Sequence, residues 1–466
     1  MIRIFNHYVP RMAFVLLLME VLLLLAAAGL ASLAWLAEAQ RAARPGSVYW
    51  SAVLFALLTV LSMGTLGMYQ SDLRLHRGEA LRQTVLRIVP ALLLAFCLLS
   101  MLYRLMPGLR AAQLGAFAFL LGGFGVLMSR LLLFFTVRTE RMADRLIVLG
   151  DGALAQECME LAVSKHGFQR FRVVGCVSVA GEERRVAAAC LLPAGPSLLE
   201  LARAHNAGEV VVSLGDRRGG AYPVRQLLEC VLGGVRVVDA AAFFEREACQ
   251  IRIDSLQPSY LIFGGGFDQS FLRASVKRIF DLAASGAIGL AALPVMLLAA
   301  LCIVAEDGGP VFYQQERVGK DGRLFKVLKF RSMRSDAEGD GTPRWAAQDD
   351  PRVTRVGFWL RKLRIDELPQ MLNVFRGEMS FVGPRPERAY FVERLGNDVP
   401  YYNVRHSIKP GITGLAQVRY QYGASVDDAV RKLQYDLYYV KNNSLFLDLL
   451  ILIDTVQVVL LGKGSR

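Results

Sequence analysis

Residues 12–37 read MAFVLLLMEVLLLLAAAGLASLAWLA, an apolar run that carries one charged residue, Glu20. The run is longer than the roughly 20 residues that a helix needs to cross a bilayer. It is also too long for the apolar core of a signal peptide, and similar runs follow at residues 48–69, 88–105 and 111–137. We therefore predict a four-helix transmembrane domain over residues 1–140.

The composition of the whole chain agrees with a membrane protein. Of its 466 residues, 54% are apolar and 20% are charged, whereas soluble domains have about 45–50% and ~25%. The net charge of +13 favours anionic partners such as lipid headgroups, nucleotides and other phosphates, and we expect no nucleic-acid partner. The seven cysteines are scattered without metal-like spacing, which predicts neither a disulfide-stapled fold nor a structural zinc site.

Basic residues predict how the membrane domain is oriented, because cytoplasmic loops carry an excess of them. They cluster before the first run, between the second and third runs, and after the fourth: Arg3 and Arg11; Arg74, Arg77, Arg82 and Arg87; Arg138, Arg141 and Arg145. We therefore place both ends of this domain in the cytoplasm. Glu20 and Arg130 lie inside predicted spans, where they could mark a functional site, lie near an interface or form a structural pair.

Residues 141–265 alternate apolar strand-like stretches with helical ones, which is typical of a parallel, Rossmann-like α/β module. The strand-like stretches are RLIVLG (145–150), FRVVGCV (171–177), EVVVSL (209–214) and VRVVD (235–239). The turn Gly150-Asp151-Gly152-Ala153-Leu154-Ala155 could bind a pyrophosphate through backbone N–H groups. No acid for a ribose ends the second strand, so a structural module and a nucleotide-binding module both remain open.

A fifth apolar run, residues 282–305, lies near the start of the last domain, which we place at 270–466. Pro294 lies in the middle of the run, where it removes a helix hydrogen bond. A complete crossing would also put several basic residues between 317 and 329 outside, against the positive-inside bias. We predict a broken, re-entrant helix at about 276–305, and a final apolar helix at 445–461 that lies on the membrane or packs under the domain.

Residues 361–386 read RKLRIDELPQMLNVFRGEMSFVGPRP and hold the densest group of reactive side chains. Asp366 and Glu367 are adjacent and a proline follows them, which predicts a helix N-terminus that favours ionised carboxylates. Arg361 and Arg385 could bind phosphate oxygens through their planar guanidinium groups. Carboxylates among cations suit phosphoryl transfer with Mg²⁺, in which a carboxylate attacks phosphorus. The structural alternative is a capped surface helix with solvated ion pairs.

With these motifs in place, residues 271–466 resemble the bacterial sugar transferase domain of the monotopic polyprenyl-phosphate phosphoglycosyl transferases. The similar stretches are VKRIFD (276–281), GPVFYQQERVGKDGRLFKVLKFRSM (309–333), IDELPQMLNVFRGEMSFVGPRP (365–386), KPGITGLAQV (409–418) and YDLYYVKNNSLFLD (435–448). Residues 1–270 resemble the N-terminal half of the long members of that family. One departure is Leu293 before Pro294, where the family often has a serine.

The resemblance implies an enzyme of the bacterial inner membrane with its mixed, mostly helical catalytic domain on the cytoplasmic face. Such an enzyme moves a sugar 1-phosphate from a UDP-sugar to undecaprenyl phosphate and releases UMP, which is the first membrane step of exopolysaccharide, capsule or O-antigen synthesis. The resemblance implies Asp366 as the nucleophile and Glu367 as its partner, both on Mg²⁺. It places Arg361 and Arg385 on substrate phosphates.

The resemblance also implies that Lys277, Arg278 and Pro294 hold the enzyme against membrane lipids, where the lipid phosphate meets the cytosol. The membrane domain and the α/β module offer surfaces for a homodimer. Two other functions stay open. An NAD-dependent nucleotide-sugar enzyme would need a Tyr-x-x-x-Lys pair, which residues 142–261 lack. A non-catalytic membrane scaffold or sensor is the second alternative, and the intact acid pair argues against it.

Overall fold

The computed structural model describes residues 2–39, 45–69, 77–106, 116–136, 144–163, 171–179, 183–214, 222–253, 256, 260, 265–267, 270–334, 352–420 and 425–460. The chain forms two compact units, the first made of Met1–Ile2 and Tyr8–Ala248 and the second of Arg3–His7 and Cys249–Arg466. The predicted division into domains at 1–140, 141–265 and 270–466 is finer than this and stays a prediction.

Four long helices follow the short strands β1 (Ile2–Ile4) and β2 (His7–Val9). They are α1 (Arg11–Ala39), α2 (Pro45–Thr65), α3 (Arg77–Leu105) and α4 (Ala116–Thr136). Helices α1 and α3 each pack against both α2 and α4. By length and composition α1, α3 and α4 could cross a membrane, and the apolar part of α2 is shorter, Tyr49–Thr65. These apolar helices support the predicted membrane protein; Arg74, Arg138 and Arg141, used for its orientation, lie outside the described residues.

Glu20 and Arg130 form a buried ion pair inside this bundle. Arg130 Nε donates to Glu20 Oε1 at 2.7 Å, and the Tyr69 hydroxyl donates to Glu20 Oε2 at 2.7 Å. A second guanidinium nitrogen of Arg130 donates to the Met68 carbonyl at 3.1 Å. Because protein groups satisfy both charges away from water, the structure favours the paired, structural interpretation of these two residues.

A parallel four-stranded sheet forms the rest of the first unit. Its strands are β3 (Asp144–Leu149), β4 (Phe171–Val177), β5 (Glu209–Val212) and β6 (Arg236–Asp239), in the order β4-β3-β5-β6. The helices between and after them are α5 (Ala153–Val163), α6 (Leu198–Ala204), α7 (Val224–Leu232) and α8 (Ala240–Ala248). Consecutive residues of β3, Leu146 and Ile147, join separate apolar cores on the two faces of the sheet. Burial on both faces explains why these strands are continuously apolar in sequence.

The second unit is mostly helical. In chain order it contains α9 (Phe271–Asp307), β7 (Phe312–Val318), β8 (Leu324–Phe330), α10 (Arg355–Lys362), α11 (Gln370–Arg376), β9 (Ser380–Val382), α12 (Ala389–Asp398), β10 (Gly411–Thr413), α13 (Leu415–Arg419), α14 (Val426–Asn442) and α15 (Leu445–Leu460). Strands β7 and β8 form an antiparallel hairpin, and β9 pairs with β10 in parallel. The core gathers Val374, Phe381, Leu437, Tyr438 and Ile451. Ile451 is on α15, so the last apolar helix packs within the unit, one of the two predicted placements.

Helix α9 is one helix of 37 residues with Pro294 inside it. Near its start, Asp281 accepts a hydrogen bond from Ser380 Oγ at 3.0 Å. Near its end, Glu306 accepts from the backbone N–H of Val356 at 2.9 Å. By length and composition α9 could also cross a membrane. The helix is not interrupted at Pro294, and the predicted re-entrant path stays a prediction.

Candidate active site

The adjacent acids Asp366 and Glu367 lie on a short 3-10 turn, Ile365–Glu367, between α10 and α11. The preceding residue, Arg364, has a φ of 58°, in the left-handed region, and this reverses the chain after α10. Helix α11 begins three residues after Glu367, so the sequence placed the pair correctly just before a helix. Both acids are buried, at 8% and 9% exposure.

Two cations bind Glu367. Lys329 Nζ lies 3.0 Å from Glu367 Oε1, and one guanidinium nitrogen of Arg385 lies 2.8 Å from the same oxygen. Burial opposes ionisation, but the charges of Lys329 and Arg385 hold the pKa of Glu367 well below its usual range. Glu367 is therefore a fixed negative charge that is neutralised locally by protein groups.

Asp366 has a different environment. Its Oδ1 atom is buried and has no hydrogen-bond partner among the described residues. Burial, and then the neighbouring charge of Glu367, raise the pKa of Asp366, while Lys329, Arg364 and Arg361 act in the opposite direction. A buried carboxylate oxygen without a donor is available to a metal ion or to an electrophile. Of the two acids, Asp366 is therefore the one with a buried oxygen that no described residue binds.

The two predicted phosphate-binding arginines occupy different positions. Arg385 reaches the acid pair directly through Glu367. Arg361, in the last turn of α10, is half-buried, and its charge acts on Asp366 across space. The structure thus brings Arg361, Asp366, Glu367 and Arg385 into one site. Their contact with a substrate phosphate stays a prediction.

Lys329 also belongs to the site, although no motif in the sequence marks it. It lies on β8 between the buried residues Leu328 and Phe330. Asn373 of α11 fixes this strand, because its Oδ1 accepts from Leu328 N at 3.0 Å and its Nδ2 donates to the Lys326 carbonyl at 2.8 Å. In the sequence, a lysine between two apolar residues could have indicated a functional position. No short motif, however, connects Lys329 to residues 366–367.

A second network supports the backbone of Arg385. Arg405, fully inside the unit, donates to the Arg385 carbonyl at 2.9 Å and to Asp436 Oδ2 at 2.8 Å. Gly383, two residues earlier, has no room for a side chain, since a Cβ there would lie 2.5 Å from the Lys409 carbonyl oxygen. The Gly-Pro-Arg-Pro stretch therefore runs close against β10, which determines where Arg385 points.

Comparison with known proteins shows which family the chain belongs to. A sequence model of the bacterial sugar transferase family matches residues 272–462. An exopolysaccharide production protein of Rhizobium leguminosarum is 41% identical over 198 residues, which cover 98% of that protein and 41% of this chain. The chain belongs to the bacterial sugar transferase family. We refer to residues 272–462 as the transferase domain.

Two longer relatives match smaller parts of their own length. UDP-N-acetylgalactosamine-undecaprenyl-phosphate N-acetylgalactosaminephosphotransferase of Aeromonas hydrophila is 44% identical over 258 residues, 55% of this chain and 60% of that protein. UDP-glucose:undecaprenyl-phosphate glucose-1-phosphate transferase of Escherichia coli is 40% identical over 192 residues, 41% of either chain. The chain thus spans at most 60% of these two relatives.

Lys277 and Arg278, which we predicted at the lipid phosphate, both bind groups of the transferase domain itself. Lys277 Nζ lies 2.6 Å from Asp448 Oδ2 and donates to the Tyr439 hydroxyl at 3.1 Å. Arg278 donates to the carbonyls of Val374 and Phe375 at the C-terminal end of α11. Both side chains therefore hold α9 onto the domain, and their contact with lipid stays a prediction.

The glycine-rich turn at residues 150–155 belongs to the first unit. Asp151 is buried there, and its carboxylate accepts from Ser178 Oγ at 2.7 Å and lies 3.5 Å from Arg184 Nε. Its backbone carbonyl accepts from the N–H groups of residues 185 and 186. A buried carboxylate at this turn opposes a bound phosphate, which favours the structural interpretation of the module.

The acid pair fits the ligand preference of Mg²⁺. Mg²⁺ in enzymes is usually bound by one or two carboxylates together with substrate phosphates, and not by a complete protein cage. Among the described residues no group of three or more His, Cys, Asp or Glu side chains could hold a metal ion. Asp366, with its unpartnered Oδ1, and Glu367 are thus the residues that would hold Mg²⁺ in the presence of a donor phosphate.

Proposed function

We propose that the chain transfers a sugar 1-phosphate from a UDP-sugar to undecaprenyl phosphate through a covalent intermediate on Asp366. The observation that carries this proposal is the asymmetry of the acid pair. Glu367 is bound by two cations, whereas Asp366 Oδ1 is buried without a partner among the described residues. The relatives from Aeromonas hydrophila and Escherichia coli bear the names of undecaprenyl-phosphate sugar phosphotransferases.

The reaction has two balanced steps. In the first, an oxygen of Asp366 forms a bond to the β-phosphorus of the donor, and the bond from that phosphorus to UMP breaks, so UMP leaves. In the second, a phosphate oxygen of undecaprenyl phosphate attacks the same phosphorus, and the bond to Asp366 breaks. The product is undecaprenyl diphosphate sugar, and the carboxylate is regenerated.

The neighbouring side chains would each support this chemistry. Glu367 is held ionised by Lys329 and Arg385, and would orient Asp366 and share Mg²⁺ with it. Arg385 and Arg361 would bind the phosphates through their guanidinium groups and neutralise developing charge. When bound, Mg²⁺ would supply further neutralisation of the phosphate oxygens.

We further propose that α9 is a re-entrant helix that presents the transferase domain to the cytoplasmic leaflet of the inner membrane. In a straight helix, Arg278 and Glu306 of α9 would be about 42 Å apart, at 1.5 Å per residue. Arg278, near the start of α9, binds the end of α11, and Glu306, near the end of α9, binds the start of α10. Helices α10 and α11 are close in sequence, since together they occupy only residues 355–376. Contacts of both ends with one domain support a helix that returns to the side from which it enters.

The relatives also suggest a biological role. One of them is named an exopolysaccharide production protein, and the Aeromonas and Escherichia relatives are named for different sugars. We propose that the chain starts the assembly of an exopolysaccharide, capsule or O-antigen unit, with a UDP-sugar as donor. A homodimer through the membrane helices or the α/β module is also part of this proposal.

Trapping the intermediate tests the proposed function. The purified chain is mixed with a radiolabelled UDP-sugar and Mg²⁺ without undecaprenyl phosphate, quenched and digested. We expect a sugar-phosphate mass on the peptide that contains Asp366, together with UMP release. Asp366→Asn should abolish both, whereas Asp427→Asn, at an exposed position in the first turn of α14, should change neither. An adduct on another peptide, or transfer by Asp366→Asn, would contradict the proposal.

A further inference from the structure

The transferase domain has an open cleft that the acid pair does not line. The β7–β8 hairpin, α12 and the 3-10 turn Tyr402–Ser407 form its walls, and its volume is about 770 Å³. Both apolar and polar side chains line it; among them are Val318, Leu324, Val392, Glu393, Asn397 and Asn403. Apolar walls with a few polar groups in a cleft of this size are typical of small-molecule sites.

A short segment connects this cleft to the acid pair. Arg385 binds Glu367, and Ala389, four residues later, lines the cleft. The backbone N–H of Val318 donates to the Glu387 carbonyl at 3.0 Å, which holds the segment against the hairpin. An extended chain covers about 3.3–3.6 Å per residue, so the cleft begins within about 14 Å of Arg385. The distance from the reacting phosphorus to the base of a nucleotide sugar is similar to this distance between Arg385 and the cleft.

Positive charge lies along this segment. One guanidinium nitrogen of Arg317 lies 3.5 Å from Glu387 Oε2 and donates to the Pro386 carbonyl at 3.1 Å. Burial lowers the pKa of Arg317, and the charges of Arg385 and Arg388 act in the same direction although Glu387 opposes them. Three arginines, Arg317, Arg385 and Arg388, outnumber the two carboxylates that they face, Glu367 and Glu387, and this leaves a net positive charge between the cleft and the acid pair. Such a charge suits the diphosphate of a donor.

We propose that this cleft binds the nucleoside of the nucleotide-sugar donor, with the diphosphate along Arg317 and Arg385. The inference rests on the proposed function and names a site for part of its substrate. The side-chain amides of Asn397 and Asn403 can both donate and accept, as the edge of a pyrimidine base requires. Glu393 can accept from ribose hydroxyls, a role that acids have in dinucleotide-binding folds. Leu324 and Val392 supply an apolar surface for the ring.

This placement also separates the two substrates. Helix α9 packs against α10 and α11, and neither of those helices lines the cleft. The donor would therefore reach Asp366 from the side of α12, and the lipid acceptor from the side of α9. Separate approaches fit a two-step reaction in which UMP must leave before the acceptor phosphate attacks.

Nucleotide binding to the full-length chain in nanodiscs tests the inference. Calorimetry with UMP as the probe is compared for the wild type and for the double variant Asn397→Ala/Asn403→Ala. Loss of two hydrogen-bonding side chains should weaken UMP binding by about tenfold or more. The KM for the UDP-sugar should rise similarly, with the KM for undecaprenyl phosphate unchanged. Asp398→Asn, the matched control, is exposed on α12 and does not line the cleft, and it should bind UMP like the wild type.

A second variant, together with the UMP-binding and adduct measurements, distinguishes failure of the cleft assignment from failure of the covalent mechanism. Ala389→Phe adds a ring at the cleft wall and should also weaken UMP binding. If both cleft variants are folded and bind UMP within about twofold of the wild type, the inference is wrong, even where Asp366 carries the sugar-phosphate adduct. If the variants lose UMP but no adduct forms on Asp366, the cleft assignment stands and the proposed covalent mechanism fails.

Discussion

Lys329 Nζ lies 3.0 Å from Glu367 Oε1, and this contact joins β8 to the turn that carries the acid pair. Arg385, which follows the acid pair in the sequence, binds the same oxygen of Glu367. Two cations therefore keep Glu367 ionised directly beside Asp366, and like charge disfavours ionisation of the second acid. Two carboxylates that are adjacent in sequence thus have different protonation behaviour, because their tertiary partners differ.

Removal of the Lys329 amine should slow the first step of transfer. In Lys329→Met, Arg385 is the one remaining cation of the two that bind Glu367. Loss of one charged hydrogen bond corresponds to about a ten- to hundredfold lower rate of UMP release in a single turnover. Lys329→Arg retains the charge and should recover part of that rate. Lys326→Met, at an exposed position of the same strand, is the control. A folded Lys329→Met protein with the wild-type rate would contradict this role.

The pH dependence of UMP release should report the ionisation of Asp366. Because burial and Glu367 raise its pKa, the acid limb should lie above the ~3.9 of an exposed aspartate. Glu367→Gln removes the negative neighbour and should move the limb to lower pH. Lys329→Met removes a cation that lowers the pKa of Asp366, and should move it to higher pH. Single-turnover rates between pH 4 and 9 test the signs, and two shifts in the same direction would refute the assignment.

The re-entrant path of α9 can be tested by labelling single cysteines with a membrane-impermeant maleimide. In a chain whose seven native cysteines are replaced, Ser275→Cys and Ala305→Cys flank the apolar part of the helix. We expect both to react in inside-out vesicles and neither in right-side-out vesicles, since basic residues on both sides favour the cytoplasm. Leu290→Cys, 75% exposed in the middle of α9, should be protected by lipid in both. Reaction of residues 275 and 305 from opposite sides would establish a complete span.

The buried pair Glu20–Arg130 should stabilise the membrane bundle without taking part in transfer. Glu20→Leu leaves an uncompensated guanidinium among the helices, and breaking a buried pair costs about 3–5 kcal/mol. The double variant Glu20→Leu/Arg130→Leu removes both charges and should recover most of the thermal stability in detergent. Leu22→Ala, at an exposed position of α1, controls for loss of apolar contact. Equal melting temperatures for Glu20→Leu and the wild type would show that the pair is not structural.

Local pattern was sufficient for much of the fold. Four apolar runs became α1 to α4, and the strand at residues 171–177 begins and ends where the sequence predicted it. The acid pair also lies just before a helix, as Pro369 indicated. In each case the information is contained in neighbouring residues, since hydrophobic periodicity and capping act over a few turns.

The contacts of Lys277 and Lys329 could not be predicted from local sequence patterns. Lys277 pairs with Asp448, 171 residues away, and Lys329 pairs with Glu367, 38 residues away. Neither spacing belongs to a recurring motif, because the intervening helices and strands set the distance. The same holds for the cleft between the β7–β8 hairpin and α12, whose lining residues come from three separate parts of the chain.

By itself, the sequence indicated a membrane protein with a parallel α/β sheet and a transferase domain in which the acids at residues 366 and 367 are adjacent. Tertiary structure decided which acid is neutralised by cations and which has an unpartnered oxygen. The physical reason is that burial and charge pairing depend on atoms brought together from distant parts of the chain, whereas helix and strand formation depends on near neighbours.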